Sequence, residues 1–473
     1  MSSLGKESYS EMIKKRQTVC VQGLGFVGFA MCVAIASAKK GKNTLYDVIG
    51  IDLPNNEGKS RIKKINSGIM PFKTTDKNLL KAFKSAHEEG NLVASYSTNL
   101  FSKADVIMVD INLDVSSIDI DPKVNFQPFK NAIKSIGLKM KPDALVIIET
   151  TVPPGTTSEI IYPHLKDILK KRFPKFSNLN LAHSYERVMP GENYFKSITE
   201  FWRVYAGINS ESAKKCRDFY KTIINTIKFP MKELKSTTAS ETAKIIENSY
   251  RAANIAFINE WGLFAESVGI DLFEVIEAIK LRPTHSNIRR PGLGVGGYCL
   301  TKDPLMGLVS CNQIFKIRPL NFEISKKSVE INNCMPKNTL DLVEKKLQNT
   351  KDKSVLILGL TYKEDVEDTR YSPSLKLLDY FNSKFKKISC HDPMLSSFNF
   401  PKVEFCQTLP NPEEFNLIIL AVPHSEYKKI QYDIWLGNYQ GLLIDSNNIL
   451  SSEQINKIKN LNFTFNVIGR GDI

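Results

Sequence analysis

Histidine is scarce in this 473-residue chain: there are six, none at metal-ligand spacing, so a zinc or iron centre is not expected. The eight cysteines, at 20, 32, 216, 299, 311, 334, 390 and 406, include no CxxC pair and form no even framework. That usage reads as reduced thiols in a reducing compartment, here the cytoplasm. No stretch is long and apolar enough to span a bilayer, which argues against a membrane protein. The net charge of +14 comes with no basic tail, recognition-helix cluster or stacking platform, so nucleic acid is not an expected partner. The lysines are spread along the chain and read as a solvated surface, whose positive field would also suit an anionic ligand.

What is present is an ordinary globular composition, 42% hydrophobic and 24% charged, in a chain too long for one core. Near the N-terminus, Lys14-Lys15-Arg16 and the apolar run to Ala36-Ser37-Ala38 imitate a secretory signal. Gly23, Gly25 and Gly28 within that run, and the strand that follows, point instead to a buried βα unit. Thr18–Gln22, Asp47–Ile51, Asp105–Val109 and Ala144–Glu149 are short and nearly all apolar, as strands covered on both faces should be. Phe29–Lys39 and Phe129–Lys139 have helical period, and Leu179–Ser184 adds a further strand. From about Leu234 the pattern becomes helical. Glu241 stands at the capping-box position from Thr238, and the helix is expected to run to Gly269. The last third repeats the first with strands at Ser354–Gly359, Ile388–Asp392, Leu417–Val422 and Leu442–Asp445. The expected fold is α/β, with two Rossmann-like doubly wound domains joined by a long central helical segment. Its expected boundaries are 1–232, 233–335 and 336–473.

Gly23-Leu24-Gly25-Phe26-Val27-Gly28 places GxGxxG directly after a strand and at a helix start. Gly23 permits the tight turn, Gly25 lets the backbone approach a pyrophosphate, and Gly28 permits close helix–strand packing. Asp52 ends the next strand, 24 residues beyond Gly28. A carboxylate there accepts hydrogen bonds from a ribose diol and repels a 2′-phosphate, which favours NAD over NADP. The C-terminal domain has only Gly359 in the corresponding turn, so an intact dinucleotide is not its expected ligand.

Four segments carry polar residues where packing would not ask for them. Glu149-Thr150-Thr151-Val152-Pro153-Pro154-Gly155 leaves a strand end, as does His183-Ser184-Tyr185-Glu186-Arg187-Val188-Met189-Pro190-Gly191. Lys244 and Asn248, four apart, share a helix face, although alone they would read as a solvated face. In Pro291–Pro304, four glycines within six residues precede Cys299, and Asp303-Pro304 reads as N-cap and N1 of a helix. A helix start and Lys302 beside Cys299 favour a thiolate nucleophile over a buried structural thiol.

With these segments the chain resembles the UDP-glucose/GDP-mannose dehydrogenase family. The resemblance covers the Gly23 turn, Thr151-Val152-Pro153, the Glu186 segment, Lys244 with Asn248, and the Gly294–Asp303 loop. It extends to Leu360-Thr361-Tyr362-Lys363-Glu364-Asp365 and Asp368-Thr369-Arg370. It implies an NAD-dependent four-electron oxidation of a nucleotide-sugar C6 alcohol to a carboxylate, through a Cys299 thiohemiacetal and thioester. By that resemblance Lys244 and Asn248 stabilise oxygen charge, and Glu186 activates water positioned with Thr151 and Asp303. Thr151 also borders the cofactor. Glu186, Arg187, Lys244, Asn248, Gly296, Lys363 and Arg370 contact the substrate. Arg282 resembles an arginine supplied to the partner site of a homodimer built on the central helix. The Glu186–Gly191 segment looks like the branch acting on UDP-N-acetylhexosamines, for surface polysaccharide synthesis. UDP-glucose and GDP-mannose remain alternatives, as do a two-electron hydroxyacid dehydrogenase and a non-catalytic nucleotide-sugar binding protein.

Overall fold

The computed structural model describes residues 16–116, 121–189, 191–318 and 320–473. Lys14, Lys15 and Pro190 lie outside the described residues. The chain forms two compact units. The first comprises residues up to Ser116, Lys123–Lys244 and Val309–Arg318, and the second is mainly Ile245–Leu308 with the chain to Ile473.

The first unit is built on eight strands: β1 (Gln17–Gln22), β2 (Tyr46–Ile51), β3 (Leu92–Ser95), β4 (Val106–Val109), β5 (Leu145–Ile148), β6 (Asn180–His183), β7 (Val204–Gly207) and β8 (Lys232–Glu233). Their spatial order is β8-β7-β6-β5-β4-β1-β2-β3, which contains the 3-2-1-4-5-6 order of a dinucleotide-binding sheet. Strands β4 and β5 are buried at every residue, which is why their sequences do not alternate. The pairing of β6 with β7 is antiparallel, a departure from an all-parallel sheet at its far edge. The imitation signal run forms β1 and the helix Phe26–Ala36, nine of whose eleven residues are buried. Being apolar all round suits a helix enclosed on every side. It begins and ends three residues before the periodicity suggests, because Gly25 caps it and Lys39–Lys40 leave to pair with Asn43–Thr44.

The second unit carries β9 (Ser354–Leu358), β10 (Lys387–His391), β11 (Val403–Cys406), β12 (Leu417–Leu420), β13 (Leu442–Asp445) and β14 (Thr464–Val467). All its pairings are parallel, in the order β11-β10-β9-β12-β13-β14. This is again 3-2-1-4-5-6, so the weak repeat in the sequence is a repeat of topology. Two apolar clusters cover the sheet, one around Phe381 and Leu377 and one around Tyr427, Tyr432 and Leu443.

The central helix runs over Thr237–Val268. The expected capping box does not form. Ser236 caps the helix, its Oγ accepting from Ala239 N at 3.1 Å. Glu241 instead reaches a neighbouring turn, where it accepts from Gly155 N at 2.6 Å and Thr157 N at 2.8 Å. The Gly155 turn has φ +93° and leaves these N–H groups unpaired by its own backbone, and tertiary demand for an acceptor wins over local capping. Glu241 is 0% exposed; burial pushes its carboxyl up to about 7 against the pull of those two N–H donors.

A carboxyl raised on folding contributes stability that is fully present below its unfolded value and is lost as pH rises through about 7. Melting curves between pH 5 and pH 8 should therefore show wild type losing Tm relative to Glu241→Gln. Parallel pH profiles for the two proteins would contradict this.

Candidate active site

The glycine turn has the geometry that its sequence requires. Gly23 has φ +98°, and a Cβ there would lie 2.2 Å from Asp110 O. A Cβ on Gly28 would lie 1.9 Å from Gly23 O, whereas one on Gly25 would meet nothing within 4 Å. Two glycines are thus demanded by the fold, and the third opens onto free space at a helix N-terminus that no side chain caps. That is where a pyrophosphate can approach backbone N–H groups. Phe26 and Val27, half-buried, begin the helix, and Tyr194 Oη donates to Phe26 O. Asp52 follows β2, its side chain 7% exposed. Its Oδ1 accepts from Leu53 N at 2.8 Å, and its Oδ2 accepts from Arg61 Nε at 2.8 Å.

In the same unit, β5 and β6 deliver two of the expected segments. Thr150 is the tethered member of its pair: its Oγ1 donates to the β4 end and accepts Ile111 N at 3.0 Å. Thr151 stands half-buried beyond it. Glu186 and Lys244 come together. Lys244 Nζ donates to Glu186 O at 2.7 Å and lies 3.3 Å from Glu186 Oε1, with Lys244 6% and Glu186 9% exposed. Val188 N donates to Glu186 Oε2, so the carboxylate is held from both sides. His183 is buried and pushed down to about 3 by burial and by nearby Lys244 and Arg203, which keeps it neutral. Arg187 is engaged within the protein, donating to Trp202 O at 2.8 Å and Tyr185 Oη at 3.0 Å.

The second unit brings together Cys299, Asn248, Asp303, Gly296 and Arg370. Asp303 does not cap the following turn, as its sequence suggests; Lys302 occupies that position and no side chain caps it. The fully buried Asp303 carboxylate instead accepts from Asn248 Nδ2 at 2.7 Å and Lys302 Nζ at 2.8 Å, because a buried charge needs partners more than a one-turn 3₁₀ helix needs a cap. Lys302 is therefore engaged with Asp303 and with the face of Tyr298, 4.3 Å from its centroid. The glycines of the loop answer to the protein itself. A Cβ on Gly296 would lie 2.7 Å from Tyr362 Cβ, and Gly297 N donates to Arg370 O at 3.0 Å. The cysteine loop and the Tyr362–Arg370 segment are thus packed as one surface. Arg370 is held bidentately by Asp368, 2.7 Å from Nη2 to Oδ2. Lys363 is half-buried and pushed down, by burial first and then by Arg251. Arg282 is exposed on its own turn.

Arg251 is a residue that the sequence reading missed. Burial and then Arg289 pull its guanidinium down, while Cys299 and Tyr362 act against them, so it stands among the groups around the thiol. The signal was its spacing, seven from Lys244 and three from Asn248 on one helix face. Cys299 is half-buried, whereas five of the eight cysteines are buried. Cations beside an accessible thiol favour the thiolate.

Fold and glycine turn together define a dinucleotide-binding protein. The chain belongs to the UDP-glucose/GDP-mannose dehydrogenase family: the family's NAD-binding domain matches residues 17–224, its central domain 238–334 and its UDP-binding domain 356–452. It is 31% identical to the UDP-N-acetyl-D-mannosamine dehydrogenase of Methanocaldococcus jannaschii over 92% of this chain and 93% of that one. The structure of the UDP-D-ManNAc dehydrogenase of Pyrococcus horikoshii is similar at a TM-score of 0.80 and 27% identity, over 97% of this chain and 100% of that one. A UDP-glucose dehydrogenase from Pyrobaculum islandicum shares the fold at a TM-score of 0.80 and 21% identity, over 97% and 99%. The protein is an NAD-dependent nucleotide-sugar dehydrogenase. Among the described residues no helix is long and apolar enough to cross a membrane, and no group of His, Cys, Asp and Glu could hold a metal ion.

Asp52 and Arg61 together set a cofactor prediction. Asp52→Ala would remove the carboxylate and release Arg61 toward a 2′-phosphate. The kcat/KM preference for NAD over NADP should then fall by about tenfold or more, roughly 1.4 kcal/mol. An unchanged ratio would place the ribose elsewhere.

Proposed function

We propose that this dehydrogenase oxidises the C6 alcohol of a UDP-N-acetylhexosamine to the carboxylate, for surface polysaccharide synthesis in the cytoplasm. The observation that carries the chemistry is Cys299: a half-buried thiol on a glycine loop packed against the Arg370 segment, with Arg251 beside it. The substrate follows the relatives named UDP-N-acetyl-D-mannosamine dehydrogenase, above all the one at 31% identity, which favours the manno epimer. Eight cysteines without a CxxC pair suit a reducing compartment. Functional boundaries at 232 and 335 are part of the same reading.

NAD bound at the glycine turn would accept a hydride in each of the two oxidations. Lys244 and Asn248 lower the cost of charge on the reacting oxygen. Cys299 Sγ adds to the aldehyde carbon; the carbonyl electrons pass to oxygen, which takes a proton, giving a thiohemiacetal. Loss of its C–H hydrogen as hydride, with the hydroxyl proton, leaves a thioester. Glu186 takes a proton from water as the water adds; the C–S bond then breaks, regenerating the thiolate and releasing the carboxylate. Lys244, 3.3 Å from Glu186 Oε1, holds the carboxylate in place for that step. Thr151 and the Asn248-bound carboxylate of Asp303 position the water. Lys363 and Arg370 meet the nucleotide diphosphate, with Gly296 and Arg187 shaping the site around the sugar.

The enzyme works as a homodimer through the central helix. Ile246, Tyr250, Phe257, Trp261, Phe264 and Val268 are 47–62% exposed and repeat at helical spacing, an apolar stripe of the kind that marks an interface. Arg282 would then serve the partner's site. Trp261→Glu with Phe264→Glu should turn a dimer into monomers in analytical ultracentrifugation; a monomeric wild type would remove the proposal.

The reaction itself is tested by stoichiometry. Wild type should yield two NADH per UDP-N-acetylhexosamine, and Cys299→Ala should form no carboxylate while still binding NAD. One NADH per sugar with an aldehyde product would eliminate the thioester. Higher kcat/KM on UDP-glucose or GDP-mannose in a substrate panel would reassign the sugar.

A further inference from the structure

Asp392 follows β10 in the second sheet where Asp52 follows β2 in the first, yet it faces a different task. Its side chain is 0% exposed. Its Oδ2 accepts from Leu360 N at 2.7 Å and Thr361 N at 2.9 Å, and its Oδ1 accepts from Met394 N at 2.8 Å. A carboxylate with no exposed surface, held by three backbone N–H groups, is turned to the loop and not to a ribose diol. His424, equally buried, lies over it: Nε2 is 3.2 Å from Asp392 Oδ2 and 3.1 Å from Thr361 Oγ1. On its other side Nδ1 is 3.0 Å from the N–H of Asp365.

These contacts assign the tautomer. A backbone N–H can only donate, so Nδ1 holds the lone pair and Nε2 carries the proton, which it gives to Asp392. Thr361 Oγ1 in turn donates to Lys363 O at 3.1 Å. Asp365 sits at φ +55°, a conformation that a non-glycine residue adopts only when its surroundings hold it. The holding groups are His424 Nδ1, Ser425 N at 3.1 Å and Ser425 Oγ. One neutral imidazole therefore fixes residues on both sides of Lys363, through Thr361 before it and Asp365 after it.

We propose that His424 is a positioning residue for nucleotide-sugar binding: bolted between Asp392 and the backbone of Asp365, it sets the path of the Thr361–Asp365 loop and so the place of the Lys363 ammonium. The proposal rests on the reading of Lys363 as a contact to the nucleotide. It makes the second Rossmann-like sheet a variation on the first, in which the acid after the second strand holds the loop instead of a ribose.

The test compares His424→Ala, His424→Asn and Lys363→Ala in steady-state kinetics, with thermal melting to confirm folding. Asparagine can present an acceptor near the place of Nδ1; alanine cannot. His424→Ala should raise the KM for the UDP-sugar about tenfold while the KM for NAD and kcat stay within about twofold, since the lost bonds release one loop. His424→Asn should recover most of the loss. A folded His424→Ala enzyme with an unchanged UDP-sugar KM would overturn the proposal, as would equal losses in kcat and both KM values that asparagine does not relieve. If alanine fails to fold, the Asn variant decides: a small rise confined to the UDP-sugar KM supports the proposal, and a rise in both KM values overturns it. Lys363→Ala separates the two readings. A raised KM there with none in His424→Ala removes the latch alone, and the reverse removes the assignment of Lys363.

Discussion

The first unit depends on how one buried arginine is neutralised. Arg203 is 6% exposed, yet it donates through Nη2 to the fully buried Glu149 and through Nη1 to Tyr185 O at 3.1 Å. Burial alone would pull its guanidinium down; Glu149, Tyr220, Glu186 and Asp110 more than reverse this. Asp110 is the third member. Burial first and then the charge of Glu149 push its carboxyl well up. Burial pushes Glu149 up as well, against the pull of Arg203. The cluster thus gathers two carboxyls around one guanidinium in a low-dielectric interior. It matters because of what it touches. Asp110 is the wall against which Gly23 turns, Glu149 opens the Thr151 segment, and Tyr185 O immediately precedes Glu186. The cofactor turn and the proposed base are braced by the same ion pair.

Much of this was legible in the sequence, and the reason is steric. A glycine required by an approach of 1.9 or 2.2 Å has no substitute, so the GxGxxG turn announces itself. Apolar runs covered on both faces likewise declare buried strands, and their observed limits differ from the expected ones by at most two residues. Destinations of long polar side chains were less legible. Glu241 and Asp303 each stand at a helix start in the sequence, yet Glu241 serves Gly155–Thr157, and Asp303 serves Asn248, 55 residues away, with the adjacent Lys302. Local pattern reveals which groups need partners, but the fold decides which partner is within reach. The same limit hid Arg203, whose ion pair joins residues 54 apart, and the use of Arg187 as a brace between Trp202 and Tyr185. The charges of the trailing Arg470-Gly471-Asp472 are spent locally, Arg470 lying 2.8 Å from Asp472 and 3.3 Å from Asp271.

The central helix shows how one element can serve two demands. At about 100° per residue, Lys244, Asn248 and Arg251 fall within one narrow face. Ile246, Tyr250, Phe257, Trp261, Phe264 and Val268 fall on the opposite side. The first set is polar, and Lys244 and Asn248 in it are drawn inward, 6% and 7% exposed; the second is apolar and left outside. Burial normally runs the other way, so the inversion demands a reason on each face. Inside, the polar groups find partners: the Glu186 carboxylate and carbonyl for Lys244, and the Asp303 carboxylate for Asn248. Outside, the aromatic rings already stack edge-to-face on one another, Trp261 and Phe264 at 5.5 Å between centroids. They present a stiff surface whose ordering on contact costs little side-chain entropy. A stiff helix clamped through its outer face would have less freedom to rotate about its axis. Rotation is the motion that would carry Lys244 away from Glu186, so on the proposed dimer the apolar stripe protects the geometry of the polar one.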